Sequence, residues 1–295
     1  MADLAPFALV VFIYLLGAAV TTGSPARRAL GLAISATAFA MPWVAPKEHL
    51  VVRSVAAIFA FGGGMRAVDL VRFGDFPLRA RLWHAISVVD SRKLTPAAPK
   101  LEGAALARLA GWEAIGAAFY VLVTRVGPTT TGALYWLIRW GGGLALVYTL
   151  SEGAYCLLFA VYRLAGFRPP RLHMHPAASR SVQEFWGKRW NLTVSAWLGD
   201  TFFRPLARRG HPMAGVLVAF AVSALAHAYI CKVALGMELS VIMFGYFCVQ
   251  GALVAIERPL RVTRWAKAPA HVWTVTCMAV ASPMFTEPLL QVLGA

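Results

Sequence analysis

The sequence predicts an all-α, polytopic integral membrane protein. It reads as a single membrane domain, residues 1–295, of about eight transmembrane helices with a long basic loop on the cytoplasmic side. Three observations predict this. The chain is 59% hydrophobic and only 14% charged, where a soluble domain is about 25% charged. Mean hydropathy is +0.64, and several apolar runs approach or exceed the roughly 18–20 residues that cross a bilayer. The alternating ten-residue segments of a transmembrane barrel are missing.

The formal net charge is +15. In a soluble protein that excess would suggest nucleic acid. Here the cations lie mostly in loops between apolar runs, so they read as topogenic charge, and no nucleic-acid partner is expected. Attraction to anionic lipid or to an anionic substrate head is the second explanation. Cys156, Cys231, Cys248 and Cys277 all lie in apolar runs without CxxC spacing and read as core thiols.

The first expected span is Pro6–Thr22, closed by Gly23-Ser24-Pro25 and retained for want of a basic segment before Arg27. The second is Ala29–Val44. The third, Leu50–Val68, contains Gly62-Gly63-Gly64, which permits close helix approach or a local break. A polar connector, Asp69–Gly103, has an amphipathic centre around Leu78, Leu82, Ala85 and Val89 that suits a helix in the membrane interface. The fourth span is Ala104–Val126. Gly132–Ala165 is too long for one ordinary span and holds Arg139, Gly141-Gly142-Gly143 and Glu152. It is either one tilted or broken helix, or a span plus a re-entrant segment.

The basic loop Gly166–Pro212 carries eight cations against Glu184 and Asp200. Spans Met213–Leu235, Leu239–Ile256 and Pro269–Leu289 follow. Cations in short loops favour the cytoplasmic side. The loops near Arg27, Arg72–Lys100, Gly166–Pro212 and Arg258–Lys267 are therefore expected inside. That alternation requires Gly132–Ala165 to cross a net single time, which gives eight spans with both termini outside.

Two features suit chemistry. His227 lies about fourteen residues into its span, about 20 Å deep at 1.5 Å per residue. An ionisable group at that depth defaults to a functional hypothesis, against the plainer one of a neutral histidine bonded to a neighbouring helix. The loop element Phe185–Asn191, FWGKRWN, sets Trp186 and Trp190 four apart, on one face if helical. An interfacial aromatic belt accounts for the tryptophans but not for Asn191. A histidine takes the proton of an alcohol attacking an acyl carbon, and an amide N–H steadies the resulting oxyanion. Arg180, Lys188 and Arg189 suit the phosphates of a carrier such as coenzyme A. No P-loop, HExxH or GxSxG element occurs. His173-Met174-His175 with His211 lacks the carboxylates or cysteines of a metal site, and no metal is expected.

EFWGKRWN followed by AHAY, with His227 thirty-six positions after Asn191, resembles the membrane-bound O-acyltransferase superfamily in its wax-synthase-like branch. The resemblance covers about Ser179–Arg258. QGALVAIE, Gln250–Glu257, resembles the branch's following helix, but Gln250 stands where that branch has a histidine. The resemblance implies an acyl-CoA co-substrate with no bound cofactor and an alcohol acceptor whose identity it does not fix; a hydrophobic, long-chain alcohol is the acceptor expected here. It implies His227 and Asn191 at the catalytic centre, with Trp186 and Trp190 lining the thioester entrance. Two alternatives stand beside it. One is a short-acyl transferase acting on a hydrophobic secondary-metabolite alcohol. The other is a transporter of a lipid-like or anionic solute, using Arg139, Glu152 and His227.

The expected topology has a direct test. In a cysteine-free background, a cysteine at Thr130 labels from outside intact cells and one at Ser179 does not. Labelling of position 179 from outside overturns the arrangement.

Overall fold

The computed structural model describes residues 4–74 and 76–295. The chain forms two compact units. One comprises Met1–Lys93 and Ala226–Ser240, the other Leu94–Leu225 and Val241–Ala295.

In the first unit, Ala5–Val20 and Pro25–Thr37 form a helical hairpin. Ser24 caps the second helix by accepting the Arg27 N–H. A 3₁₀ segment, Ala38–Val44, takes over where Pro42 cannot supply an α-helical N–H. Gly17 and Gly31 let the hairpin close: a Cβ on Gly31 would lie 2.7 Å from the Gly17 carbonyl oxygen. Leu50–Phe73 is an unbroken helix. Of its glycine triplet, Gly63 receives the Tyr14 ring and Gly64 the Phe39 ring, so the triplet serves close approach rather than a break. The Tyr14 hydroxyl donates to the Ala60 carbonyl. Val10, Tyr14, Ala18, Ala60 and Leu70 form the core.

The Leu50–Phe73 helix runs past the expected end of its span, and Asp69 is buried within it rather than in the connector. Asp69 Oδ2 lies 3.0 Å from Arg66 Nη1, 3.5 Å from His84 Nε2 and 3.5 Å from Arg92 Nη2. Asp90 takes two hydrogen bonds of 2.8 Å from the Arg92 guanidinium. Burial pushes the Asp90 carboxyl up, but the Arg92 bonds outweigh it and hold the pKa at about 2. The donor atoms of Asp69, His84 and Asp90 lie within 4.8 Å of one another. Arg66 and Arg92 already neutralise both carboxylates, so this is an ion network stapling the connector to the long helix. The connector's amphipathic centre is the helix Leu78–Ile86, with Ala85 in the core.

In the second unit, Gly103–Thr129 packs on Gly132–Leu164. The latter is one helix of 33 residues, about 50 Å at 1.5 Å per residue. A π segment, Leu137–Gly141, interrupts its α geometry. Its glycines make contacts, not breaks: Gly142 faces Val123 and Gly143 faces Leu290. Arg139 forms a two-pronged pair with Glu287, at 2.8 and 2.6 Å. The final expected span, Pro269–Leu289, is not one helix. It divides into Lys267–Ala281 and Pro283–Val292, because Pro283 lacks an N–H and crowds the preceding turn. One small departure from all-α is a two-residue antiparallel ladder, Thr95↔Arg168 and Pro96↔Phe167.

Among the described residues, 5 helices are long and apolar enough to cross a membrane: Leu50–Phe73, Gly103–Thr129, Gly132–Leu164, Pro212–Leu235 and Met237–Leu260. The other apolar segments of the eight-span expectation are shorter or broken helices. The protein is a helical membrane protein. All four cysteines are free, with Cys156 and Cys231 buried as expected of core thiols and Cys248 exposed.

Asp69→Asn removes the carboxylate that Arg66, His84 and Arg92 share. Breaking a buried ion pair from one side costs about 3–5 kcal/mol. A lowered melting temperature of the purified protein in detergent is the expected outcome.

Candidate active site

The basic loop begins as a suspended backbone. Val182–Glu184 makes a single helical turn, and the Ser181 hydroxyl accepts the Glu184 N–H at 2.8 Å. The free N–H groups of Val182 and Gln183 donate to the Glu257 carboxylate, at 2.6 and 2.9 Å. Glu257 is 3% exposed and sits near the end of the helix Met237–Leu260. Trp273 Nε1 gives it a third donor at 3.0 Å. His271 Nδ1 lies 3.0 Å from the Ser179 carbonyl oxygen, a second tie between the loop's start and the helix Lys267–Ala281.

Arg189 then closes the loop on itself. Its Nε donates to Glu184 Oε1 at 2.8 Å, and its Nη1 to the carbonyls of Met174 and His175 at 3.1 Å each. Burial raises the Glu184 pKa, but the Arg180 N–H and the Arg189 guanidinium outweigh it and hold the carboxyl below its ordinary range. Arg180 and Lys188 are exposed. The cations that the sequence groups together thus divide: Arg189 is tied into the loop, while Arg180 and Lys188 face outward.

Trp186 and Trp190 do not share a helix face. Phe185–Arg189 is a π turn that ends at Trp190, whose backbone is extended. The Trp186 ring packs against Phe247 at 5.5 Å and Phe220 at 6.2 Å. Its Nε1 donates to Gln250 Oε1 at 3.0 Å. Gly251 admits Phe220 here: a Cβ would stand 3.0 Å from the Phe220 Cβ. Trp190 stacks on Phe185, at 5.7 Å and 13°, and lies 4.6 Å from the His173 ring. Trp197 is buried against Phe202.

Asn191 has φ 40° and ψ 60°, the left-handed region that asparagine tolerates better than most residues. Its Oδ1 caps the helix Leu192–Leu198 by accepting the Val194 N–H at 3.4 Å. Since that partner is a donor, the cap fixes the amide orientation and turns the Nδ2 donors away from the helix end. The Asn191 N–H donates to His173 Nδ1 at 3.3 Å. Burial depresses the His173 pKa to about 4, so at neutral pH Nδ1 stays an acceptor and holds the strained residue. The sequence offered His173 only as one of three histidines. His175 and His211 are exposed and do not join it in a metal-ligand set among the described residues.

His227 is the sixteenth residue of Pro212–Leu235 and is half-buried. Tyr229, two residues on, donates to the Phe39 carbonyl at 2.8 Å, and Ser240 donates to the Ala228 carbonyl at 2.7 Å. His227 belongs to the first unit. Trp186, Lys188, Arg189, Trp190, Asn191, Arg180, Gln250 and Glu257 belong to the second.

A helical membrane protein with a tryptophan-rich loop fixed to its apolar helices is the class that fold and site define. Residues 169–249 match the family model described as the membrane bound O-acyl transferase family. Curated relatives bear the name long-chain-alcohol O-fatty-acyltransferase. Over 102 residues the chain is 33% identical to the probable long-chain-alcohol O-fatty-acyltransferase 1 of Arabidopsis thaliana, covering 32% of this chain and 30% of that protein. Over 94 residues it is 35% identical to the long-chain-alcohol O-fatty-acyltransferase of Simmondsia chinensis, covering 28% and 26%. The chain thus spans between about a quarter and a third of the length of the curated relatives it matches. Residues 169–249 are thus similar to the membrane bound O-acyl transferase family.

Two outcomes follow from this geometry. Glu257→Gln presents an amide N–H to backbone donors and strands at least one of them, at about 1–3 kcal/mol. Faster proteolysis within residues 179–190 than in wild type is the expected result. His173 contributes through its depressed pKa. The unfolded chain binds the proton near pH 6.5 and the folded one near pH 4, so stability present above pH 6.5 falls as pH drops from 6.5 to 4. Melting temperatures across that window show this slope, and His173→Gln flattens it.

Proposed function

We propose that this protein is a membrane O-acyltransferase that moves an acyl group from acyl-CoA to the hydroxyl of a long-chain alcohol, giving a wax-type ester. The observation that carries this reading is Asn191. Its Oδ1 is committed to the helix cap and its Nδ2 donors are left for a ligand, inside the segment that matches the acyltransferase family. The names of the relatives support the choice of fatty acyl donor and long-chain alcohol.

In this mechanism His227 accepts the hydroxyl proton as the alcohol oxygen attacks the thioester carbonyl carbon. The new C–O bond forms and the C–S bond breaks. The sulfur leaves as the thiol of coenzyme A, taking up the proton that His227 held. The Asn191 amide donates to the oxyanion between these events. Lys188 and Arg180, both exposed, meet the carrier's phosphates. Arg189 serves instead to hold the loop, through Glu184 and two carbonyls. Eight spans with the loop on the cytoplasmic side, where acyl-CoA is found, complete the reading. A short-acyl transferase remains the runner-up. For the transporter alternative, Arg139 is already paired with Glu287, which removes one of its three pathway groups.

The test is turnover per folded molecule with a panel of acyl-CoAs and alcohols and extraction of neutral lipid. His227→Ala is expected to lose about 10²–10⁴ in kcat with its melting temperature little changed. A well-folded His227→Ala protein with wild-type turnover overturns the mechanism. Lys188→Glu is expected to raise KM for acyl-CoA and leave KM for the alcohol unchanged. An equal rise in both contradicts a phosphate contact.

A further inference from the structure

The Gln250 side chain is 0% exposed, yet its Nε2 has no hydrogen-bond partner among the described residues. A buried, unpaired amide N–H₂ is expensive, roughly the full desolvation cost of the group. The orientation of the amide is fixed by chemistry. Trp186 Nε1 is a donor only, so the atom 3.0 Å from it is the oxygen, and Nε2 is the end turned away from the indole. The surroundings are aromatic: Trp186, Phe220, Tyr246 and Phe247 pack around one another, and Tyr246 meets Phe285 at 5.3 Å. None of these rings provides the acceptor that Nε2 lacks.

We propose that Gln250 is a catalytic residue whose Nε2 donates to the carbonyl oxygen of the acyl thioester, with Trp186 holding the amide in register. This rests on the acyltransferase reading above. Two substrate oxygens satisfy a donor, the thioester carbonyl and the alcohol hydroxyl. The carbonyl is the better match. A donor on it polarises the carbon that is attacked, and the bond strengthens as charge moves onto that oxygen. A donor on the hydroxyl would instead engage the lone pair that must attack. A glutamine also keeps this function independent of pH, since its amide does not titrate.

Gln250→Glu retains an acceptor for Trp186 and removes the donor. Gln250→Met removes both in nearly the same volume. In purified full-length protein, each is expected to lower kcat and kcat/KM for acyl-CoA together, by about a hundredfold as for an oxyanion donor. KM for the alcohol stays at its wild-type value. With an acyl-CoA labelled with ¹³C at the carbonyl, the infrared C=O band of the bound donor lies at lower frequency in wild type than in either variant. Wild-type turnover in a folded variant overturns the proposal. So does a change confined to KM for the alcohol, which assigns the amide to the other substrate. If both single variants fail to fold, Trp186→Phe with Gln250→Leu removes both partners at once, a change the fold tolerates better. It is then compared with Trp186→Phe alone, and equal kcat in the two overturns the proposal. Wild-type protein inactive on every donor and alcohol defeats the acyltransferase reading itself, which is a separate result from an active wild type with equally active Gln250 variants.

Discussion

The candidate site depends on one buried carboxylate. Glu257 gathers two backbone N–H groups and an indole N–H, and through them an irregular loop is fixed to two apolar helices. An ionised carboxylate out of water is costly unless its oxygens are fully bonded. Three donors meet that requirement here. The same bonds fix where the chain enters the loop, so the π turn at Phe185–Arg189 and the capped Asn191 start from a defined position. Arg189 and Glu184 then hold the loop's return. The loop acquires order through these charge-assisted bonds together with the packed rings of Trp186 and Trp190.

The first unit solves a similar problem by different means. Its helices approach closely because glycine faces a carbonyl or a ring at Gly17, Gly31 and Gly63. Between helices in lipid, close van der Waals contact takes the place of the hydrophobic drive. The connector is secured by Arg66 and Arg92 against Asp69 and Asp90, two cations and two carboxylates that neutralise each other, with His84 beside Asp69. Arg53 adds a further tie, donating to the Ala45 carbonyl at 2.9 and 3.0 Å and to the Val233 carbonyl at 3.1 Å.

Much of the site's composition was legible beforehand. The FWGKRWN element, Asn191 and the intramembrane His227 stand out in a sequence with few polar residues in its apolar runs. The partners of these groups did not. Glu257 was noted as part of a resemblance, with nothing to say that it would meet Val182 and Gln183, 75 and 74 residues earlier in the chain. His173 looked like one member of a weak metal pattern, whereas it supports the backbone of Asn191. Trp186 and Trp190 read as neighbours on a helix face because a spacing of four implies α geometry. The π turn changes that geometry: both rings touch Phe185, but beyond it Trp186 meets Phe220 and Phe247 while Trp190 meets His173.

The sequence alone determined the helical membrane class, because burying backbone polar groups in lipid leaves few other solutions for long apolar runs. It also singled out which rare polar residues are candidates for function, since each is costly where it lies. Only the tertiary structure decided that Gly132–Leu164 is one helix, that Pro283 divides the last apolar segment, and that Arg189 ties the loop together while Lys188 faces outward. The physical reason is locality. Hydropathy and backbone preference act over a few neighbouring residues. The partner that satisfies a buried carboxylate, amide or guanidinium comes from a distant part of the chain, and its identity exists only once the chain has folded.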